Sequence, residues 1–221
     1  MLKLGLLGKD ISHSQSQIMY EELLGESVDY RLFDYQDPVE IPSLDWFFEN
    51  IEGLSITSPY KKHFLDQVSL IEDFDSINCI KYKNGNFLAT NTDYKAIEEI
   101  FPRLLKLKEY EVIYVLGDGA MASLTKKYFD SHALKYLQLS RKKNGSLEEF
   151  EFLNKALIIN TCSRNFIYRG SVNSSMVFFD FNYNFGPHKE YLGPLVFKYF
   201  DGLELLKLQA KHALNFWGLS H

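Results

Sequence analysis

Lys61 is the residue of this chain whose type and setting first suggest moving a proton. Lys61 closes the stretch Gly53-Leu54-Ser55-Ile56-Thr57-Ser58-Pro59-Tyr60-Lys61, in which Leu54–Thr57 reads as a short strand with β-branched residues at its end. Ser58-Pro59 reads as a helix start, serine as N-cap and proline at the first helical position. Lys61 then falls in the first helical turn, where the macrodipole disfavours a cation and favours proton transfer from an amine. With Lys62 added, those ten residues taken alone read more simply as a solvated lysine pair on a surface helix. Asp93 ends the run Thr90-Asn91-Thr92-Asp93 and, taken alone, reads as an N-cap carboxylate.

Three further groups carry chemical potential. His13-Ser14-Gln15-Ser16 places two hydroxyls at a strand-to-helix junction, although simple capping needs only one of them. Gly117-Asp118-Gly119-Ala120-Met121-Ala122 follows an apolar strand and opens a helix, the G-x-G-x-x-A pattern whose backbone amides face a pyrophosphate. Ser140-Arg141-Lys142-Lys143 then stands where that fingerprint puts its ribose reader; a basic cluster there suits the 2′-phosphate of NADP, where an acidic residue would suit NAD. The six histidines form no H-E-x-x-H and no pair at metal-ligand spacing, so no metal site is expected. Cys79 and Cys162 lie far apart and form no C-x-x-C, which points to a reducing compartment.

The elements that must position these residues alternate strand and helix. Leu2–Leu7 reads as a buried strand, Gln17–Leu24 as a helix and Val28–Tyr35 as a strand with Val28, Tyr30 and Leu32 on one face. Leu44–Ile51 reads as a short aromatic helix. Ile77–Tyr82 and Asn86–Ala89 flank Lys83-Asn84-Gly85, the strongest short hairpin signal, and a helix runs from Asp93 to about Lys108. Glu111–Leu116, Leu134–Leu139, Ala156–Asn160 and Met176–Phe181 read as further strands. The polar ends of the last two, Asn160-Thr161-Cys162-Ser163 and Asp180-Phe181-Asn182-Tyr183, are expected to line a crevice. Asn144–Asn154 holds one short helix at most. Leu203–Trp217 is an amphipathic helix with Leu205, Gln209, Ala213 and Phe216 on one face, and an amide on that stripe must find a partner. At 221 residues, 46% hydrophobic and 24% charged, the chain suits one or two soluble domains. A net charge of −5 argues against a nucleic-acid partner. No apolar run is long enough to span a membrane and none reads as a signal segment, so a cytoplasmic enzyme or binding protein is expected. Nothing in the sequence sets an oligomeric state.

Taken in order, these stretches resemble the shikimate dehydrogenase family from about Leu4 to Trp217. The serine motif is His13-Ser14-Gln15-Ser16, the N-x-T-x-P-x-K motif is Ser55 to Lys61, the following asparagine is Asn78, and N-T-D is Asn91-Thr92-Asp93. The glycine loop, the NADP motif at Ser140-Arg141-Lys142, the N-A-T motif at Asn160-Thr161-Cys162 and the D-G-x-x-x-L-x-x-Q motif from Asp201 to Gln209 complete the series. The resemblance implies two α/β domains with a cleft between them. The N-terminal substrate domain covers 1–93, with the helix of about 203–217 packing back onto it; a C-terminal Rossmann-like dinucleotide-binding domain covers 94–202. It implies NADP as cofactor and reversible reduction of 3-dehydroshikimate to shikimate, with Lys61 and Asp93 as the catalytic pair. Ser14, Ser16, Thr57, Lys61, Asn78, Asp93, Tyr183 and Gln209 are implied to bind substrate. Gly117, Gly119, Ala120, Ser140, Arg141, Lys142, Thr161 and Gly202 are implied to bind cofactor. The chain departs from the family pattern at Ser55 for asparagine, Gln17 for proline, Tyr94 for glycine and Lys142 for threonine, and it is shorter after Arg141. Those departures leave open quinate or a related hydroxy acid as substrate, or a protein that binds NADP(H) or a metabolite without turnover.

Overall fold

The strand β1 (Lys3–Gly8) pairs in parallel with both β2 (Asp29–Asp34) and β3 (Gly53–Ile56). Helix α1 (Ser16–Leu24) connects β1 to β2, and α2 (Leu44–Phe48), capped by the Ser43 hydroxyl, leads into β3. This computed structural model describes residues 1–219. β2 is an edge strand with both faces covered, which corrects the single apolar face expected from its alternation. Tyr30 meets Tyr20 of α1 on one side, Phe33 meets Phe47 of α2 on the other, and Leu32 is exposed.

Beyond β3 the sheet turns antiparallel. β5 (Cys79–Lys83) pairs with β3 and with β6 (Asn86–Thr90), and a two-residue strand β4 (Ser69–Leu70), not signalled by the sequence, closes the edge. Asn84 and Gly85 both take positive φ, 52° and 80°, the geometry of a type I′ hairpin turn, with Lys83 paired to Asn86. The core beneath this sheet is built from Leu7, Phe47, Leu54, Ile56, Phe64 and Ile80.

Helix α3 (Thr92–Leu105) leads out of this first unit, Met1–Lys95, and α7 (Leu203–Trp217) leads back into it, Lys207 onward being part of the same unit. Within the unit, α7 is held by the Trp217 indole, which donates to the Ile80 carbonyl at 2.9 Å, and by Lys81, which donates to the Phe216 carbonyl.

The second unit, Ala96–Leu206, holds a five-stranded, wholly parallel sheet. Its strands are β7 (Val112–Leu116), β8 (Leu137–Leu139), β9 (Ala156–Asn160), β10 (Val177–Asp180) and β11 (Lys198–Phe200), in the order β11-β10-β9-β7-β8. Helices α4 (Ala120–Ser131), α5 (Arg141–Asn144) and α6 (Gly186–Leu192) complete it. The strand order reverses between β7 and β9, which makes their carboxyl ends the topological switch point where doubly wound sheets bind ligands. The basic cluster itself forms the short helix α5, and 145–154, where at most one short helix was expected, holds turns and extended chain. Among the described residues no helix is long and apolar enough to cross a membrane, and no group of three or more His, Cys, Asp or Glu could hold a metal.

Candidate functional site

In the first unit the chain leaves β3 at Thr57, whose N–H still pairs with the Leu7 carbonyl at 2.9 Å. The helix expected at Ser58-Pro59 does not form. Tyr60, His63, Leu65 and Gln67 each bond to the carbonyl three residues back, a chain of turns with no α-helical ladder, and the Ser58–Pro59 peptide is cis. The helix-dipole argument for Lys61 therefore falls away, and a different neighbour acts on it. The Lys61 Nζ donates to Asp93 Oδ2 at 2.6 Å, with side chains only 9% and 10% exposed. The carboxylate is delivered by the first turn of α3. Asn91, and not Asp93, caps that helix, its Oδ1 accepting from the Tyr94 N–H at 3.3 Å. The Asn91 amide in turn donates to the Ser76 carbonyl at 2.9 Å, fixing the helix start against the loop before β5.

Further polar side chains of the first unit are bonded to one another, the nearest to the pair through Thr92, next to Asp93. Asn78 Oδ1 accepts from the Thr92 N–H at 2.7 Å, Asn78 Nδ2 donates to the Thr92 hydroxyl at 3.0 Å, and that hydroxyl reaches Gln209 Oε1 at 3.4 Å. Gln209 thus meets its requirement for a partner from within the first unit. Ser14 and Ser16 stand together at the head of α1, hydroxyl to hydroxyl at 3.2 Å. Ser55 is buried, and its hydroxyl bonds the Tyr20 hydroxyl at 3.0 Å. Tyr20 and Thr92 are the participants that sequence reasoning missed. Thr92 was readable as the middle of N-T-D, whereas nothing near Tyr20 in sequence marks its hydroxyl. Burial raises the Cys79 thiol well above its ordinary range.

The second unit carries the nucleotide-type loop. Gly117 follows β7 at φ +112°, and a Cβ there would lie 2.6 Å from Thr161 Oγ1, so only glycine fits. Thr161 in turn donates to the Leu116 carbonyl at 2.6 Å, tying the ends of β7 and β9 together at the switch point. Gly119 stands at the N-cap of α4 without a side-chain cap, followed by Ala120, and the space above Gly119 is open. An uncapped helix start behind a glycine loop suits a pyrophosphate. Arg141 and Lys142 are exposed at the carboxyl end of β8, whereas Ser140 is buried, its N–H bonded to Asn144 Oδ1 at 3.0 Å. Lys142 Nζ lies 3.6 Å from the Asp118 carboxylate. Glycine loop, open helix start and exposed basic pair together fit a dinucleotide with a ribose phosphate.

Asp180 and Asn160, expected to face a crevice, are instead fully buried and bonded to each other at 3.0 Å. Asp180 also takes bonds from Asn182 and Tyr199, and its Oδ2 lies 2.5 Å from His188 Nδ1. His188 Nε2 accepts from the Tyr168 N–H at 2.9 Å, so Nδ1 is the nitrogen that carries the proton to the carboxylate. A buried carboxylate survives only when its lone pairs are filled, and this one is. Tyr183 follows in the next loop, where its carbonyl and that of Asn184 accept from Arg164. Gly202 sits before α7, its N–H bonded to the Asn182 carbonyl at 3.2 Å. Cys162, beside the glycine loop, has its thiol pushed up to about 11 by burial, with Arg141 opposing.

No family model matches the chain. A shikimate dehydrogenase (NADP+) of Clostridium perfringens is 29% identical over 161 residues, 68% of this chain and 59% of that protein. A shikimate dehydrogenase (NADP+) of Saccharolobus solfataricus is 27% identical over 240 residues, 96% of this chain and 88% of that protein. The chain thus spans about three-fifths of the length of the first of these relatives and most of the second. Among solved structures, shikimate dehydrogenase from Thermotoga maritima superposes with a TM-score of 0.75 at 19% identity, covering 100% of this chain and 95% of that one. The Thermus thermophilus enzyme in complex with shikimate gives 0.73 at 20% identity, covering 98% and 92%. The chain is a homologue of the shikimate dehydrogenases, and its two α/β units share their fold.

Proposed function

We propose that this protein is an NADP-dependent dehydrogenase that interconverts 3-dehydroshikimate and shikimate. The observation that carries the reading is the buried Lys61–Asp93 ion pair at 2.6 Å, with Thr92, next to Asp93, bonded to Asn78 and Gln209. Reducing a ketone to an alcohol requires a hydride on carbon and a proton on oxygen. Bound NADPH supplies the hydride. Lys61 Nζ supplies the proton to the carbonyl oxygen, and Asp93 holds the amine in one orientation while it does so. In the reverse direction the same nitrogen receives the hydroxyl proton.

Ser14, Ser16, Thr57, Asn78 and Gln209 hold the carboxylate and ring hydroxyls, with Tyr183 assisting. Such a site rejects an analogue lacking a hydroxyl, because buried polar groups are then left without partners. Gly117, Gly119 and Ala120 pass the pyrophosphate, Thr161 and Gly202 frame it, and Arg141 and Lys142 take the 2′-phosphate. Ser140 acts there only through its backbone, being buried. Small soluble metabolites on both sides of the reaction fit an enzyme of the cytoplasm.

The test is the absorbance change on NADP+ reduction with shikimate, repeated with quinate and with NAD+. Turnover with shikimate and NADP+ above the other combinations supports the reading. Turnover with quinate alone reassigns the substrate, and cofactor binding without any turnover makes the protein a binding member of the fold.

A further inference from the structure

We infer that Tyr20 and Ser55 together form a substrate-contacting floor that donates one hydrogen bond to an acceptor oxygen of the substrate and so helps set specificity. The inference rests on the proposed substrate site and deepens it.

Two independent periodicities place the pair there. Tyr20 lies four residues after Ser16 on α1, so both share one helix face. Ser55 lies two residues before Thr57 on β3 and its extension, so both share one strand face. The two proposed substrate contacts Ser16 and Thr57 therefore have Tyr20 and Ser55 as their next neighbours inward, and those two meet at 3.0 Å. The nearby Asp93 carboxylate is among the influences that hold the Tyr20 phenol up, after burial, the dominant one, and neighbouring Tyr30 and Cys79. The phenol is thus a neutral hydrogen-bond donor.

Hydrogen-bond arithmetic supplies the rest. Each hydroxyl has one proton and can accept as well. Their mutual bond uses one of the two protons, whichever group donates. Neither hydroxyl has a second partner among the described residues. One proton is left over in a pocket where Tyr20 is fully buried and Ser55 is 7% exposed, and a buried donor without an acceptor is costly. An oxygen of the bound substrate meets that need.

A double-mutant cycle on shikimate affinity tests this. Tyr20→Phe and Ser55→Ala each leave one hydroxyl proton, so each alone weakens shikimate binding by less than roughly fivefold. The double variant leaves none and weakens it by roughly 10–100-fold, more than the product of the singles. NADP+ affinity, read by fluorescence titration of the same variants, stays unchanged as the control on the second unit, and an unchanged near-ultraviolet circular dichroism spectrum and melting midpoint report an intact first unit. Ser55→Asn carries its own amide donor, so adding Tyr20→Phe to it changes shikimate affinity little; that arm keeps the test alive if the double variant does not fold. Shikimate binding by the double variant equal to that of the parent chain overturns the inference, as does a purely multiplicative cycle. If the parent chain itself binds no shikimate, the proposed function fails instead, and the two failures are distinct.

Discussion

Lys61 and Asp93 expose about a tenth of their side chains and touch at 2.6 Å, whereas Lys142 is 86% exposed and meets Asp118 at 3.6 Å. The first pair is fixed before any ligand arrives. A surface pair such as the second contributes little by itself and is screened by salt. Under the proposed function the difference follows two jobs. A proton must be delivered at one atom, which rewards a rigid, buried geometry. A phosphate on a cofactor needs only net positive charge within reach, which mobile surface side chains supply.

Removing either member of the buried pair has the largest expected effect. Lys61→Ala or Asp93→Asn lowers turnover by roughly 10²–10⁴, the usual worth of acid–base catalysis. Each also lowers thermal stability, because one charge is left buried and unpaired, about 3–5 kcal/mol. NADP+ binding persists in both as the control, and near-normal turnover in both would sink the assignment.

Next comes Arg141→Asp, which abolishes the preference for NADP+ over NAD+. A lost charge-assisted contact corresponds to roughly 10–100-fold in the affinity ratio. Titrating both cofactors checks it, and an unchanged ratio removes Arg141 from the phosphate site. Smaller still is the effect of salt. Raising ionic strength from about 0.1 M to about 1 M shortens the screening length from about 10 Å to about 3 Å. NADP+ affinity then falls severalfold more than NAD+ affinity, and parallel losses would mean that the basic cluster does not read the extra phosphate.

The smallest prediction concerns alkaline stability. Burial raises the Cys162 thiol from 9.0 to about 11, so the folded state holds a proton that the unfolded chain has released. That contribution is intact below about pH 9 and is lost as pH rises through about 11. Urea midpoints measured across this window fall less steeply for Cys162→Ala than for the parent chain; identical slopes would count against it.

Much of this arrangement is legible in the sequence because it follows local rules. The Asn84-Gly85 turn, the strand–glycine–helix run at Gly117 and the whole length of α7 each rest on chemistry within a few residues. Lys61 was readable as a candidate, but for the wrong local reason: Ser58-Pro59 has the chemistry of a helix start and forms turns. The fate of Asp180 was not readable either, since a carboxylate at a strand end looks alike whether a ligand or His188 fills its lone pairs. β4 and β11 are too short, at two and three residues, to carry a periodicity. Tyr20 was hidden because its partner lies 35 residues away, and a tyrosine on an apolar face gives no sign that its hydroxyl is in use.

The path of the chain has a consequence for assembly during synthesis. The second unit is one unbroken stretch, Ala96–Leu206, and can fold once that stretch has left the ribosome. The first unit has its buried Lys61–Asp93 pair in hand by residue 93, yet Gln209 and the Trp217 indole that anchors to Ile80 are made after the whole of the second unit. The part of the protein translated first is therefore the part completed second. Until α7 arrives, the Ile80 carbonyl and the face of the sheet around it wait without their final cover.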